Sequence, residues 1–271
     1  MSKESAILAF RIFAGLATVV LASSPSVLVY RIYKQKHVGV ASVFPLVALL
    51  GSSHVWVVYG YLTDNYFPLI SCFLYGECCA IVFLAIYCYY STDKCHAFRV
   101  LAAALSVVAI VTSYAIVGTL GYTGQSTSSV NTIMGLLADC GGICLYGAPM
   151  EKLFQVLKHK SAVFINVHMV IAGLTSNILW LTYGILITNP FIIALNALFV
   201  MANVVTMVLY RIYDPSKHPL QDGWNTHTGA DNDDELEVSV RIEMAPRREA
   251  KTAKTASTRL PSPVYVSLPS P

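Results

Sequence analysis

Seven apolar runs, separated by short polar breaks, decide what this chain can become. They cover residues 6–33, 41–62, 66–90, 98–121, 129–154, 164–188 and 190–213. A bilayer core takes about 20 apolar residues per helix, so each run predicts one membrane-spanning helix. Inside lipid every backbone N–H and C=O needs an internal partner, and a helix supplies it. Composition agrees: 55% of the residues are hydrophobic and 12% charged, where a soluble domain carries about 25% charge. The charge is also uneven. Residues 1–213 hold six acids and eleven Lys or Arg, whereas the last 58 hold nine acids and seven bases. The expected fold class is all-α and polytopic, with seven transmembrane helices. From Asp214 the chain is rich in Pro, Ser and charge, and a disordered tail is expected. Ser262-Pro263 and Ser270-Pro271 in it have the pattern of proline-directed phosphorylation sites.

Lys and Arg positions set the orientation. Arg31, Lys34, Lys36, Lys94, Arg99, Lys152, Lys158, Lys160 and Arg211 follow spans one, three, five and seven. No Lys or Arg follows spans two, four or six; Lys3 and Arg11 stand alone at the amino end. The amino terminus is therefore expected outside and the carboxyl terminus in the cytosol. The opening Met1-Ser2-Lys3-Glu4 runs into the first span without a small-residue cleavage pattern, so no cleavable signal is expected. Seven cysteines, among them Cys72, Cys78, Cys79, Cys140 and Cys144 in apolar runs, read as small packing residues.

The motif VWVVYG at 55–60 returns as LWLTYG at 179–184. Sliding residues 25–67 onto 149–191 without a gap gives 13 identities in 43 positions. They include Pro25/Pro149, Lys34/Lys158, Lys36/Lys160, Trp56/Trp180, Tyr59/Tyr183, Gly60/Gly184 and Asn65/Asn189. Apolar composition does not place Trp, Tyr-Gly, Pro and two Lys in one register by chance. Spans one to three and five to seven are thus two copies of a three-helix unit, and span four is the spare. An odd connector brings the second copy in with the same orientation, so the repeats are parallel, arranged 3+1+3. The expected organisation is a short amino-terminal segment 1–5, a first repeat 6–90, a linker with the fourth helix 91–121, a second repeat 122–213 and a tail 214–271.

Repeat-built transporters place substrate at the repeat interface near the midplane. Trp56, Tyr59 and Gly60 stand at i, i+3 and i+4 and share one helix face, as do Trp180, Tyr183 and Gly184. The two indoles are expected to face each other across a shared cavity. A sugar offers C–H faces to aromatic rings and hydroxyls to amides. Asn196, inside FIIALNALF, is costly in lipid unless satisfied and is the amide candidate. At the matching ungapped position the first copy has Cys72, with Phe73 beside it. Pro25 and Pro149 fall mid-span and Pro45 early in span two; prolines kink helices, and paired kinks would serve as hinges.

These residues carry a family resemblance. The chain resembles the SWEET sugar transporters over residues 6–213, through SSPSV with Pro25, KQKHVG, Pro45, both W-x-x-Y-G motifs, GAPM with Pro149, KHKS and PFIIALN ending in Asn196. The resemblance implies facilitated, alternating-access movement of mono- or disaccharides. It implies Trp180 and Asn196 as substrate contacts, with Trp56 facing them. Tyr59, Gly60 and Tyr183 would belong to an outer gate, and the prolines to hinges. Dimers or trimers of the chain would be the assembly. Of the membranes, the plasma membrane is the expected one, with an internal membrane as the alternative. The chain departs from the family pattern at three points. Phe73 or Cys72 stands for a first-half Asn, Asn166 for a proline, and Asn189 for an acid, making a gate bond to Tyr59 amide-based. The first departure makes the pocket more apolar on one side, and with both Trp56 and Trp180 bulky a hexose is favoured over sucrose.

Glu77 and Asp139 lie at membrane depth, and either is a candidate proton site. His54 and His168 are intramembrane histidines without ligand spacing to each other. A proton-coupled exporter is one rival reading, though relatives of that kind carry a Pro-Gln kink and this chain has Pro25-Ser26 and Pro149-Met150. A seven-span receptor is another, but it needs no internal repeat. No nucleophile–base pair or metal-ligand cluster converges in the spans, so an enzyme, a cofactor and a metal are not expected. The expected partners are a small-molecule sugar and the lipid bilayer, with no nucleic acid.

Overall fold

The computed structural model describes residues 3–39, 41–163 and 165–214, without the side chains of Ala148 and Pro149. The tail from residue 215, with Ser262 and Ser270, lies outside the described residues. Described secondary structure is helical: α1 (Lys3–Ser23), α2 (Ser26–Gln35), α3 (Phe44–Leu62), α4 (Ser71–Tyr90), α5 (Lys94–Thr119), α6 (Thr127–Leu145), α7 (Gly147–His159), α8 (Val167–Ile187) and α9 (Pro190–Ile212). A wide turn of π type, Tyr66–Ile70, leads into α4.

Among the described residues, seven helical stretches are long and apolar enough to cross a membrane: Lys3–Gln35, Phe44–Leu62, Tyr66–Tyr90, Lys94–Thr119, Thr127–Leu145, Val167–Ile187 and Pro190–Ile212. They follow the seven apolar runs, with one difference. The fifth run was expected to continue to residue 154, but α6 stops at Leu145 and α7 starts afresh. Pro149 has no N–H to return to the Leu145 carbonyl, and Tyr146 leaves helical geometry at ψ 1°. In the first copy the break falls at Ser24-Pro25, between α1 and α2. Pro45 occupies the first turn of α3, where a missing N–H removes no helical bond.

The repeat is visible in the backbone. Lys3 and Thr127, which start α1 and α6, are 124 positions apart, as are Gln35 and His159, which end α2 and α7. Left-handed residues recur at the same spacing: Lys36 (φ 60°) with Lys160 (φ 51°), and Asp64 (φ 54°) with Thr188 (φ 56°). Asn166 caps α8 by accepting from Met169 N at 3.1 Å, a service that a proline could not give.

Within the first repeat α4 packs on both α1 and α3; within the second α9 packs on both α6 and α8. The repeats join through α3 on α6 and α1 on α8. Exchanging the copies turns one of these contacts into the other, so a pseudo-twofold axis runs along the bundle. Six helices thus close a ring, α1–α4–α3–α6–α9–α8. The linker helix α5 packs outside it, against α3, α6 and α4. Lipid tails give helices no hydrophobic reason to associate, so close packing at small residues matters more. Gly142 of α6 shows this: a Cβ there would lie 2.7 Å from Leu195 of α9. The outward surface is apolar, with Ile110 of α5 68% exposed and Val20 of α1 67% exposed, as a lipid-facing surface requires.

The wide turn breaks the ungapped register. Ile70 N bonds Asn65 O across five residues (3.2 Å), whereas Ile193 N bonds Asn189 O across four (3.1 Å). One extra residue is thereby taken up in the first copy. Gly60 packs on Leu69 and Ile70, and its counterpart Gly184 packs on Ile192 and Ile193. Beyond the turn the copies are related by 123 positions rather than 124, and the counterpart of Asn196 is Phe73, not Cys72.

Candidate functional site

The buried core between the repeats is aromatic. Trp56 is 3% exposed and Trp180 6%, so neither indole points into lipid. Both were expected to flank an open space. Instead the Phe73 ring stands between them, stacked on Trp56 (centroids 5.5 Å apart, planes at 16°) and tilted against Trp180 (5.9 Å, 45°). Each indole also meets the tyrosine of its own motif edge-on, Trp56 with Tyr59 at 5.7 Å and Trp180 with Tyr183 at 5.8 Å. The helical i, i+3 spacing creates these two contacts. Trp180 Nε1 donates to Thr18 Oγ1 of α1 at 2.8 Å, fastening the second repeat to the first.

Asn196 lies on the α9 stripe whose Ile192, Leu195 and Phe199 share one buried cluster with the two indoles. It is buried and donates from Nδ2 to Ile192 O at 2.8 Å. Ile192, Leu195, Asn196, Phe199 and Asn203 form the buried stripe of α9. Below Asn196 on that stripe, Phe199 stacks on Tyr146 (4.1 Å, 13°), and Asn203 Nδ2 donates to the Phe199 carbonyl at 2.8 Å. The sequence reading missed Tyr146, Phe199 and Asn203. The signal available was Asn203 seven residues after Asn196, on the same helix face. Cys72 packs elsewhere: its Sγ would lie 3.0 Å from a Cβ on Gly15 of α1.

At the amino-terminal end of the bundle the repeats exchange hydrogen bonds. Asn189 Nδ2 donates to the Tyr59 hydroxyl (2.9 Å), which lies 3.2 Å from Asn189 Oδ1 and donates to it. Asn65 Nδ2 donates to the Tyr183 hydroxyl (3.0 Å), which lies 3.2 Å from Asn65 Oδ1. The two pairs are images of each other under the pseudo-twofold. Asn189 Oδ1 also caps α9, accepting from Phe191 N (3.1 Å) and Ile192 N (3.2 Å). Phe191 leans edge-on against Tyr59 at 5.7 Å. Gly60 and Gly184, at the same level, admit the close packing of the chain that follows each turn. Above the pairs lies a cavity of about 580 Å³, lined by Arg11, Asp64, Asn65, Phe67, Tyr183 and Asn189 among others. It sits on the far side of the amide–hydroxyl pairs from the indoles.

The two membrane-depth acids occupy different surroundings. Glu77 Oε1 is 2.9 Å from His54 Nδ1, and His54 Nε2 is 2.7 Å from Thr112 Oγ1 of α5. The sequence reading treated His54 as isolated, and the structure corrects this. No spacing rule links His54 to Glu77, because they stand on different helices. Asp139 lies on α6 between Gly135 and Gly142, whose faces meet Phe191 and Leu195 of α9. Its Oδ1 is buried without a hydrogen-bond partner. At the opposite end of the bundle, Lys36 donates to the Tyr90 hydroxyl at 3.0 Å and lies over the Tyr33 ring at 4.0 Å. The bond to Tyr90 raises the Lys36 pKa above its ordinary value. Among the described residues, no group of three or more His, Cys, Asp or Glu side chains is placed to hold a metal ion.

Comparison with known proteins fits this geometry. A bidirectional sugar transporter of Oryza sativa subsp. indica, SWEET4, is 28% identical over 197 residues, 72% of this chain and 75% of that protein. The sugar transporter SWEET1 of Drosophila pseudoobscura pseudoobscura is 23% identical over 206 residues, 76% of this chain and 88% of its own length. The fold matches that of a eukaryotic SWEET transporter solved at 3.7 Å, with a TM-score of 0.69 and 16% identity. That match covers 78% of this chain and 98% of the other. The family profile described as "Sugar efflux transporter for intercellular exchange" matches residues 9–95 and again 132–218, once for each repeat. The chain belongs to this family of sugar efflux transporters, the SWEET family, and is an integral membrane protein with seven candidate spanning stretches among the described residues.

Proposed function

We propose that this protein is a facilitative carrier that moves hexoses across a membrane by alternating access. The observation that carries the reading is the pair of crossed Tyr–Asn contacts at one end of an aromatic and amide core shared by both repeats. Relatives named as sugar transporters support the substrate class. Trp56, Phe73, Trp180 and Asn196 form the sugar pocket. Aromatic faces take the C–H faces of a pyranose, and the Asn196 amide takes a hydroxyl. Phe73 must swing out of the stack to admit substrate, which suits one ring better than two. Cys72 supports the pocket from behind, against α1. Tyr59, Tyr183, Asn65 and Asn189, with Gly60 and Gly184, form the outer gate, and the cavity of about 580 Å³ is its vestibule. Opening tilts the repeats about the breaks at Pro25 and Tyr146–Pro149 and about the segment before Pro45.

The alternation of Lys and Arg supports an outside amino terminus and a cytosolic carboxyl terminus. Such a chain belongs in the plasma membrane, assembled with copies of itself as a dimer or trimer. A proton-coupled exporter is the second reading; the unpartnered Asp139 Oδ1 is the observation that favours it. Sugar-driven proton flux in sealed vesicles separates the two, and its absence removes the second.

The deciding experiment measures uptake and efflux of labelled glucose, fructose and sucrose in cells lacking their own carriers. Glucose or fructose should move in both directions. Trp180→Ala and Asn196→Ala should abolish that movement with surface expression retained. Full flux in both variants refutes the pocket, and no flux of any sugar by the unaltered chain refutes the carrier.

A further inference from the structure

Arg11 stands about two turns inside α1, within the first span. Its Nε is buried without a hydrogen-bond partner. A cation at membrane depth is costly, and a span that keeps one tends to mark the path of a ligand. Arg11 lines the cavity of about 580 Å³ above the tyrosine–asparagine pairs, together with Asp64 and Phe67.

The second copy shows what packing alone puts at this place. The counterpart of Arg11, 124 positions on, is Gly135, and that of Phe67 is Phe191. There the Phe191 ring covers the glycine so closely that a Cβ would come within 2.4 Å of it. No side chain fits. In the first copy Phe67 meets α1 one turn further on, 4.0 Å from where a Cβ on Gly15 would lie, and is 43% exposed. One half is filled by apolar packing, while the other keeps a cavity and an arginine.

The lining suits a neutral polyol. It carries one full positive charge, on Arg11, and one full negative charge, on Asp64. Neither an anion nor a cation is therefore favoured by the cavity as a whole. A guanidinium only donates hydrogen bonds and a carboxylate only accepts them. Sugar hydroxyls do both, so neighbouring hydroxyls can accept from Arg11 and donate to Asp64. The Tyr66 hydroxyl, 3.4 Å from Asp64 Oδ1, steadies the carboxylate. The exposed Phe67 ring offers a face to C–H groups. The volume falls in the range of about 300 to 1,000 Å³ found for small-molecule pockets.

The cavity also reaches the gate, because Asn65, Tyr183 and Asn189 belong to its lining. In the Asn65–Tyr183 contact a single hydroxyl answers both the amide nitrogen (3.0 Å) and the amide oxygen (3.2 Å). A vicinal diol would give each of them an oxygen of its own, so a sugar in the cavity competes with Tyr183 for Asn65. We propose that the cavity is a second sugar site, in which Arg11 and Asp64 hold a neutral sugar whose hydroxyls draw Asn65 from Tyr183 and loosen the gate before the sugar enters the inner pocket. The effect on transport rests on the carrier reading, but binding in the cavity can be read without transport.

The test uses the full chain in lipid nanodiscs, with glucose binding read by saturation-transfer NMR. Trp180→Ala with Asn196→Ala removes the inner pocket, and this double variant should keep saturable glucose binding; Asn196→Ala alone serves where the double variant does not fold. Adding Arg11→Met, or Asp64→Asn where that fails to fold, should weaken the remaining binding several-fold. Glucose should bind more tightly than glucuronate or glucosamine, which carry a charge. A soluble maleimide reads the gate through a cysteine placed at Phe73, over the background of the chain's own cysteines. Glucose should speed that labelling several-fold, and Arg11→Met should remove the gain. No glucose binding without the inner pocket, or equal binding with and without Arg11 and Asp64, overturns the second site. Tighter binding of either charged sugar overturns the neutral ligand. An equal gain in labelling with Arg11→Met overturns the release of the gate. If the unaltered chain moves no sugar in the flux assay, the carrier reading fails and the binding measurements alone judge the site.

Discussion

Phe73 places a stacked ring where its counterpart, Asn196, offers an amide. The two halves of the proposed pocket are therefore unlike, one hydrogen-bonding and one apolar. Phe73→Asn should restore an amide on both sides and raise sucrose flux relative to glucose flux, as measured by labelled uptake. Losing the stack on Trp56 should also lower stability, by about 2 to 5 kcal/mol in the range for large-to-small core changes. A second residue test concerns packing. A Cβ on Gly135 would overlap the Phe191 ring, which supports Tyr59, whereas one on Gly51 meets nothing within 4 Å. Gly135→Ala should destabilise the purified protein by about 1 to 3 kcal/mol, and Gly51→Ala should leave its thermal midpoint near the original. The aromatic and amide residues of the core were legible from the repeat. Phe73 as the partner of Asn196 was not, because the extra residue in the Tyr66–Ile70 turn leaves no mark in an ungapped comparison.

Among elements, the helix ends make the crossed tyrosine–asparagine contacts between the repeats. Tyr59 lies on α3 and reaches the turn before α9; Tyr183 lies on α8 and reaches the turn before α4. Each hydroxyl-to-amide contact should contribute about 0.5 to 1.5 kcal/mol net. Tyr59→Phe and Tyr183→Phe should each shift the population towards the open end by about 2- to 13-fold. Accessibility of a reporter cysteine placed at Phe73 would measure that shift, and equal labelling in all variants would count against a gate there. The bond from Tyr59 to Asn189 was legible through the family resemblance. Its mirror, Tyr183 to Asn65, was written in the same two identities, but only the pseudo-twofold turns identities into contacts across it. The spans themselves were legible to within a few residues, because lipid demands long apolar helices. The end of α6 was not, because the run stays apolar past Tyr146 while the backbone turns out of the helix.

For the whole molecule, symmetry and its violations divide the labour. The ring of six helices repeats closely, whereas α5, the wide turn and Phe73 belong to one side only. On the proposed carrier reading, sugar movement is not coupled to an energy source. Labelled glucose should then equilibrate across the membrane without accumulating, giving an inside-to-outside ratio near one at the plateau; sustained concentration would require coupling. The crossed tyrosine–asparagine contacts have a further consequence. Each half supplies the hydroxyl for one and the amide for the other, as in an isologous interface between identical subunits. A shorter ancestor with only one of these halves, bearing both residues, could have made the same two bonds with another copy of itself. Fusion of two such subunits into one polypeptide would have kept their handshake and freed either side to diverge.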